Sequence, residues 1–215
     1  MVAVFDKTIG IPTIRRLPAY LRLAKDLQQK NEKTVSATYF AEILDIDSIV
    51  VRKDIASTGS LGKPRIGFDI EELIDNIENF LGWNNTTDAF LVGVGNLGSA
   101  ILGYQGFTGN GLNIVAGFDV DPQKIGTKIY GKEIFPIDKL YDLVPRMNIN
   151  MAILAVPSKA AQDVVDKLVD AGIRAIWNFT PVKLKTPDTI VTQKEDLSSG
   201  LAELSVKLSK VLHHK

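Results

Sequence analysis

One short stretch limits the fold of this chain more than any other: Gly93-Val94-Gly95-Asn96-Leu97-Gly98, a G-x-G-x-x-G run. It follows directly on the apolar Ala89-Phe90-Leu91-Val92 and leads into a helical pattern that starts near Leu97. A buried strand, a glycine turn and a helix in that order form the first part of a βαβ unit. In such a turn the first glycine permits the tight reversal and the second lets the backbone approach a pyrophosphate. The third lets helix and strand pack closely. N–H groups at the start of the helix then face the phosphates. Asp119 ends the next apolar run, Ile114-Val115-Ala116-Gly117-Phe118, twenty-one residues after Gly98. That is near the spacing at which an acidic side chain takes a ribose hydroxyl, and a carboxylate there opposes a 2′-phosphate, which favours NAD over NADP. The same residues also suit a structural βα turn with an ordinary surface aspartate, so the surroundings have to decide.

Those surroundings alternate. A third apolar run, 151–156, is stopped by Pro157 and followed by a helical pattern over 158–171. A fourth covers 173–179 and a fifth 189–192. Apolar strands alternating with helices predict a parallel sheet covered on both faces, a Rossmann-type doubly wound α/β domain over residues 83–195. Residues 196–215 form a separate helix whose Leu197, Leu201, Leu204, Leu208 and Val211 are spaced 4, 3, 4, 3. This stripe either docks on its own domain or packs against a second chain.

Residues 1–82 read differently, as short helices. Ile14, Leu17, Leu21, Ala24 and Leu27 give residues 13–29 one buried face, with Pro18 either kinking the helix or sitting in its first turn. Ser36 caps a helix to Leu44, Asp45-Ile46-Asp47 turns the chain, and Asp47 caps a second helix from Ser48 to Ser57. Two such helices across a tight turn make a helix-turn-helix. The glycine-punctuated 59–68 stretch reads as a β-hairpin and would be its wing, and a further helix spans 70–81. Net charge is zero for the whole chain, yet residues 1–25 carry Lys7, Arg15, Arg16, Arg22 and Lys25 against Asp6 alone. Residues 48–67 carry Arg52, Lys53, Lys63 and Arg65 against Asp54. Two basic faces of this kind are compatible with nucleic acid without establishing it. Arg52 and Lys53 on the second helix are placed for base edges or phosphates, and Lys63 and Arg65 at the hairpin tip for a minor groove or phosphates.

Several function classes drop out. The chain has no cysteine, which removes disulfides, thiolate metal sites and thiol redox chemistry. Its two histidines, His213 and His214, sit in the tail, so no internal histidine serves as acid, base or metal ligand. No tyrosine is followed four residues later by lysine, and only about twenty residues remain after the last strand, too few for a substrate domain. A bound nucleotide is therefore expected to be sensed rather than consumed, with no catalytic residues. No window nears the roughly eighteen apolar residues of a membrane span. The first seven residues lack the pattern of a signal peptide, so a cytoplasmic protein is expected.

The residues resemble a known family, the Rex redox-sensing transcriptional repressors of bacteria. The similarity runs through Val51-Arg52-Lys53-Asp54, the 59–68 wing, residues 93–100, Tyr104 and Gly106-Phe107. It continues in Phe118-Asp119-Val120-Asp121-Pro122, Ala155-Val156-Pro157, Asn178-Phe179-Thr180-Pro181 and Asp196 followed by Gly200-Leu201, covering nearly the whole chain in order. One departure is Gly62-Lys63-Pro64-Arg65-Ile66-Gly67-Phe68, where the family commonly carries Arg-Gly-x-Gly-Tyr. The resemblance implies a homodimer, with its C-terminal helices exchanged, on palindromic double-stranded operator DNA, and release of that DNA at high NADH/NAD⁺. It also implies nucleotide contacts from Gly93, Gly95, Asn96, Leu97, Gly98, Tyr104, Phe107, Asp119, Val156 and Pro157. Ser48, Arg52, Lys53, Lys63 and Arg65 would meet DNA, and Arg22, Tyr104 and Asp196 stand at positions suited to a switch. A CoA- or nucleotide-binding Rossmann module of the succinyl-CoA synthetase type is the alternative. It accounts for the second half and leaves the winged helix idle. A small NAD-dependent dehydrogenase is a third, weaker class.

Overall fold

Helix α1 (Ile11–Gln29) begins with Pro12 in its first turn, where the missing N–H needs no partner. Pro18 lies inside the helix, so the first-turn role considered for it belongs to Pro12. The computed structural model describes residues 9–213. Asp6, Lys7 and the rest of the first eight residues, together with His214, lie outside the described residues, as does the side chain of Leu197. The chain divides between Asn85 and Thr86 into two units.

In the first unit, strand β1 (Thr34–Val35) leads to α2 (Ala37–Leu44), capped as expected by Ser36, whose hydroxyl accepts from the Tyr39 N–H at 3.1 Å. Asp45 takes a left-handed conformation at φ 52° and ends α2. Asp47 then caps α3 (Ser48–Ala56), accepting from the Ile49 N–H at 2.6 Å. Strand β2 (Phe68–Asp69) follows, and Asp69 caps α4 (Ile70–Leu81). The expected hairpin needs correction. Within 59–68 the only ladder contact is a bridge between Lys63 and Gly67, and β2 pairs instead with β1, Val35 opposite Phe68. The wing is thus a tight turn on a two-stranded ribbon whose other strand precedes α2. Leu17, Tyr20, Phe40, Val51, Ile55, Leu73 and Ile77 are fully buried in this unit's core.

The second unit is built on a seven-stranded sheet. Its strands are β3 (Thr87–Val92), β4 (Leu112–Asp119), β5 (Lys128–Ile129), β6 (Lys132–Pro136), β7 (Met151–Leu154), β8 (Ala175–Asn178) and β9 (Val191–Lys194). They lie in the order β5-β6-β4-β3-β7-β8-β9, with only β5 antiparallel to its neighbour. Leaving out β5, the order is 3-2-1-4-5-6, that of dinucleotide-binding sheets, and the reversal falls between β3 and β7. The last strand starts two residues later than the apolar pattern predicts, and β5, β6 and helix α6 (Leu140–Arg146) were not predicted at all. Side chains alternate across β3: Phe90 and Val92 pack with α6 and α7 (Ala161–Ala171), and Ala89 and Leu91 with α5 (Asn96–Gly103). Both faces of the sheet are therefore covered. Helix α8 (Leu197–His213) ends the described chain. No helix among the described residues is long and apolar enough to cross a membrane.

Candidate functional site

The C-terminal ends of β3 and β7 meet at the glycine turn. Gly93 has φ +93°, and a Cβ there would stand 2.5 Å from the Ala155 carbonyl oxygen and 2.8 Å from Val156 Cγ1. Only glycine lets the two strand ends approach so closely. A Cβ on Gly98 would meet the Gly93 carbonyl oxygen at 1.8 Å, so the start of α5 lies against the turn itself. Gly95 differs: a Cβ there would enter open space. It is also the N-cap of α5, and no side chain accepts a hydrogen bond there. The first-turn N–H groups of α5, from Asn96, Leu97 and Gly98, thus point at an open approach with the positive end of the helix dipole behind them. That cradle fits a phosphate-bearing ligand.

Asp119 closes the other side. Its Oδ2 accepts from the Val94 N–H at 2.8 Å, and its Oδ1 accepts from the N–H groups of Val120 at 2.8 Å and Asp121 at 2.9 Å. The Lys124 ammonium donates to Oδ2 at 3.4 Å. Burial pushes the Asp119 carboxyl up, but the N–H groups of Asp121 and Val94 and the Lys124 charge outweigh it, holding the carboxyl below its ordinary range. It is ionised at neutral pH. Val156 borders the turn directly, and the exposed Pro157 caps the short 3₁₀ turn Ser158–Ala160 that follows. Beside α5, Tyr104 lies edge-on to Phe107 with centroids 4.7 Å apart, Phe107 meets Trp177 at 5.4 Å, and Trp177 donates to Glu195 at 2.9 Å. Asp196 accepts from the Ser198 N–H at 2.9 Å and holds the first turn of α8. Tyr104 and Asp196 thus have different partners here, and Arg22 stands exposed on α1.

In the first unit, an open groove of about 600 Å³ runs between the start of α2, α3 and the 63–67 turn. Ser36, Thr38, Arg52, Lys63 and Arg65 line it. Arg65 is held at φ +64°, so the wing turn presents its side chain from a constrained backbone. Lys53 is exposed on α3 beside the groove residues, and Ser48 is half-buried at the helix start. The other basic block is reduced. Arg16 is engaged by Asp54 and Lys25 by Glu78 at 2.6 Å, so of its described members only Arg15 and Arg22 stay clear of an acidic partner.

The Asp54 cluster is the feature that the sequence reading missed. Arg16 Nε donates to Oδ2 at 2.6 Å and its Nη2 to Oδ1 at 2.9 Å, while Thr13 and Tyr20 hydroxyls donate at 2.8 Å each. Burial raises the Asp54 pKa, but the bonds from Arg16, Tyr20 and Thr13 outweigh it and hold the group ionised. The recognition-type helix α3 is thereby bolted to α1. The available signal was spacing: Thr13, Arg16 and Tyr20 share one helical face.

A winged-helix unit and a Rossmann unit with a dinucleotide-type turn therefore stand on one chain, a two-unit architecture with a separate site on each. Residues 8–56 match a family profile described as putative DNA-binding protein N-terminus, and residues 84–182 one described as CoA binding domain. The chain is 47% identical over 204 residues to the redox-sensing transcriptional repressor Rex of Treponema denticola, covering 95% of this chain and 97% of that one. It is 39% identical to that of Bacteroides thetaiotaomicron, covering 92% and 90%. Among solved structures, RSP with β-NAD⁺ and operator DNA is similar at a TM-score of 0.86 and 34% identity, over 96% of this chain and 95% of that one. RSP with β-NADH is similar at 0.87 and 32%, over 97% and 98%. The chain belongs to the Rex family of redox-sensing transcriptional repressors, whose members are regulators and not enzymes. Similarity across both units disfavours the CoA module, which accounts for the second unit only.

Proposed function

We propose that this protein binds palindromic operator DNA as a homodimer, in the cytoplasm, and releases it when NADH occupies the glycine turn. It thereby converts the NADH/NAD⁺ ratio into transcription. The observation that carries this reading is the uncapped start of α5 facing an ionised Asp119, in a chain similar along nearly its whole length to RSP bound to NAD⁺ with operator DNA and to NADH. Gly93, Gly95, Asn96, Leu97 and Gly98 hold the pyrophosphate, Asp119 takes a ribose hydroxyl, and Tyr104, Phe107, Val156 and Pro157 border the rest of the nucleotide. The nicotinamide supplies the signal, oxidised or reduced, and is not turned over.

On the DNA side, Arg52 and Lys53 reach base edges and phosphates from α3, Ser48 contacts the backbone at its start, and Lys63 and Arg65 anchor the wing. The exposure of all four cations supports this. Every described side chain of α8 is exposed, Leu201, Leu204, Leu208 and Val211 included, and so long an uncovered apolar stripe supports a second chain as its cover. For the switch, Arg22–Asp196 pairing accompanies the DNA-competent state, and Tyr104–Asp196 pairing accompanies NADH. Asp196 holds the first turn of α8 through Ser198, so a change of partner acts on the base of that helix. An operator mobility shift tests the proposal: NADH should abolish the complex at concentrations where NAD⁺ and CoA leave it intact. Release by CoA, or none by NADH, would overturn it.

A further inference from the structure

Asp119 has no vacancy. A carboxylate offers about four acceptor positions, and in this protein Val94, Val120, Asp121 and Lys124 fill them. Three of these donors are backbone N–H groups that shape the glycine turn and the end of β4, so they cannot leave without unmaking the site. Only the fourth is a side chain. Its contact is long at 3.4 Å, against roughly 2.7–2.9 Å for a good charge-assisted bond. It is also shared with Asp121 at 3.6 Å, and Lys124 is about one-third exposed. The Lys124 backbone is tied down, its N–H donating to the Asp121 carbonyl at 3.0 Å, so the flexible four-carbon stem alone can move.

Resting on the proposed nucleotide site, we infer that Lys124 is the residue that sets the balance between a free and a phosphorylated adenosine ribose. Its ammonium holds the one position on Oδ2 that a ribose hydroxyl can take, so a 2′-hydroxyl dinucleotide must displace it. A 2′-phosphate gains the same ammonium as a counter-charge, which blunts the exclusion that Asp119 alone would impose. Lysine thus weakens NADH and favours NADPH, and any attraction to the pyrophosphate cancels in their ratio.

The test is equilibrium binding of NADH and NADPH to the full chain, followed by nicotinamide fluorescence, for wild type, Lys124→Met, Lys124→Arg and Asp119→Asn. Methionine keeps the apolar stem and should raise the ratio of NADPH to NADH dissociation constants roughly tenfold, whereas arginine should hold it near wild type. A Lys124→Met ratio equal to wild type, with Asp119→Asn weakening NADH, overturns the inference and leaves the site standing. An arginine ratio equal to that of methionine also overturns it. If neither Asp119→Asn nor Lys124→Met changes NADH binding, the proposed site itself fails, and the inference with it.

Discussion

Asp54 in the first unit and Asp119 in the second are both ionised carboxylates with all four acceptor positions filled, yet their partners differ in kind. Asp54 is served entirely by side chains of α1 and is 3% exposed, with the planar Arg16 fork bound through two nitrogens. Asp119 is served by three backbone N–H groups and one loosely held lysine. Removing a side-chain partner of Asp54 strands a buried charge, whereas moving Lys124 leaves Asp119 still held by rigid donors. A saturated carboxylate is structural when its donors are packed, and able to exchange a ligand when one donor is free to swing.

The largest effect expected from this contrast is on stability. Asp54→Ala should cost about 2–4 kcal/mol, because it leaves the buried Tyr20 hydroxyl without its acceptor and the Arg16 guanidinium without its counter-charge. Asp119→Ala should cost less. Chemical denaturation that finds the two variants equal would break the comparison. Next comes the nucleotide: Asp119→Ala should weaken NADH binding about 10- to 100-fold and narrow the gap to NADPH, while Asp54→Asn leaves NADH affinity unchanged. Titration by fluorescence reads both. The switch comes third. Asp196→Ala and Tyr104→Phe should each shift the NADH concentration that releases operator by about 5-fold or more, a typical coupling of about 1–3 kcal/mol. Folded variants that bind NADH and release DNA at the wild-type concentration would remove these residues from the switch.

Acid sharpens the comparison further. The native Asp54 pKa lies below that of the unfolded chain, so its stabilisation is complete above about pH 4 and is lost as pH falls through the native value. The stability difference between wild type and Asp54→Asn should therefore shrink on acidification in pH-dependent denaturation. A difference that widens would contradict the ionised assignment. The smallest expected effect is electrostatic: Lys63→Ala should reduce the slope of log K against log salt for operator binding by about 1.

Local chemistry was the readable part of this chain. The caps Ser36 and Asp47 act within three residues of where they stand, and the glycine turn and Asp119 at the end of β4 belong to one motif of fixed spacing, so residue type and spacing reveal them. Strands β1 and β2 have two residues each, and two residues carry no period. β5 at the sheet edge and β6 beside it are short strands with polar residues and a terminal Pro136, joined by a turn in which Tyr130 takes φ 50°, so their pattern resembles a loop. Arg16 counts as surface charge in sequence because its partner is 38 residues away. The α8 stripe is plain in sequence, and its described side chains are all exposed, so the second chain proposed to cover it lies outside what spacing within one chain reveals.

The two ligands are linked through the states they favour. If NADH and operator favour opposing states of one chain, each must weaken the other by the same factor. The measurement is the NADH dissociation constant of the full-length protein, free and saturated with operator. NADH should bind more weakly on operator, by the factor by which NADH lowers operator affinity. Equal NADH affinity in both conditions would contradict it.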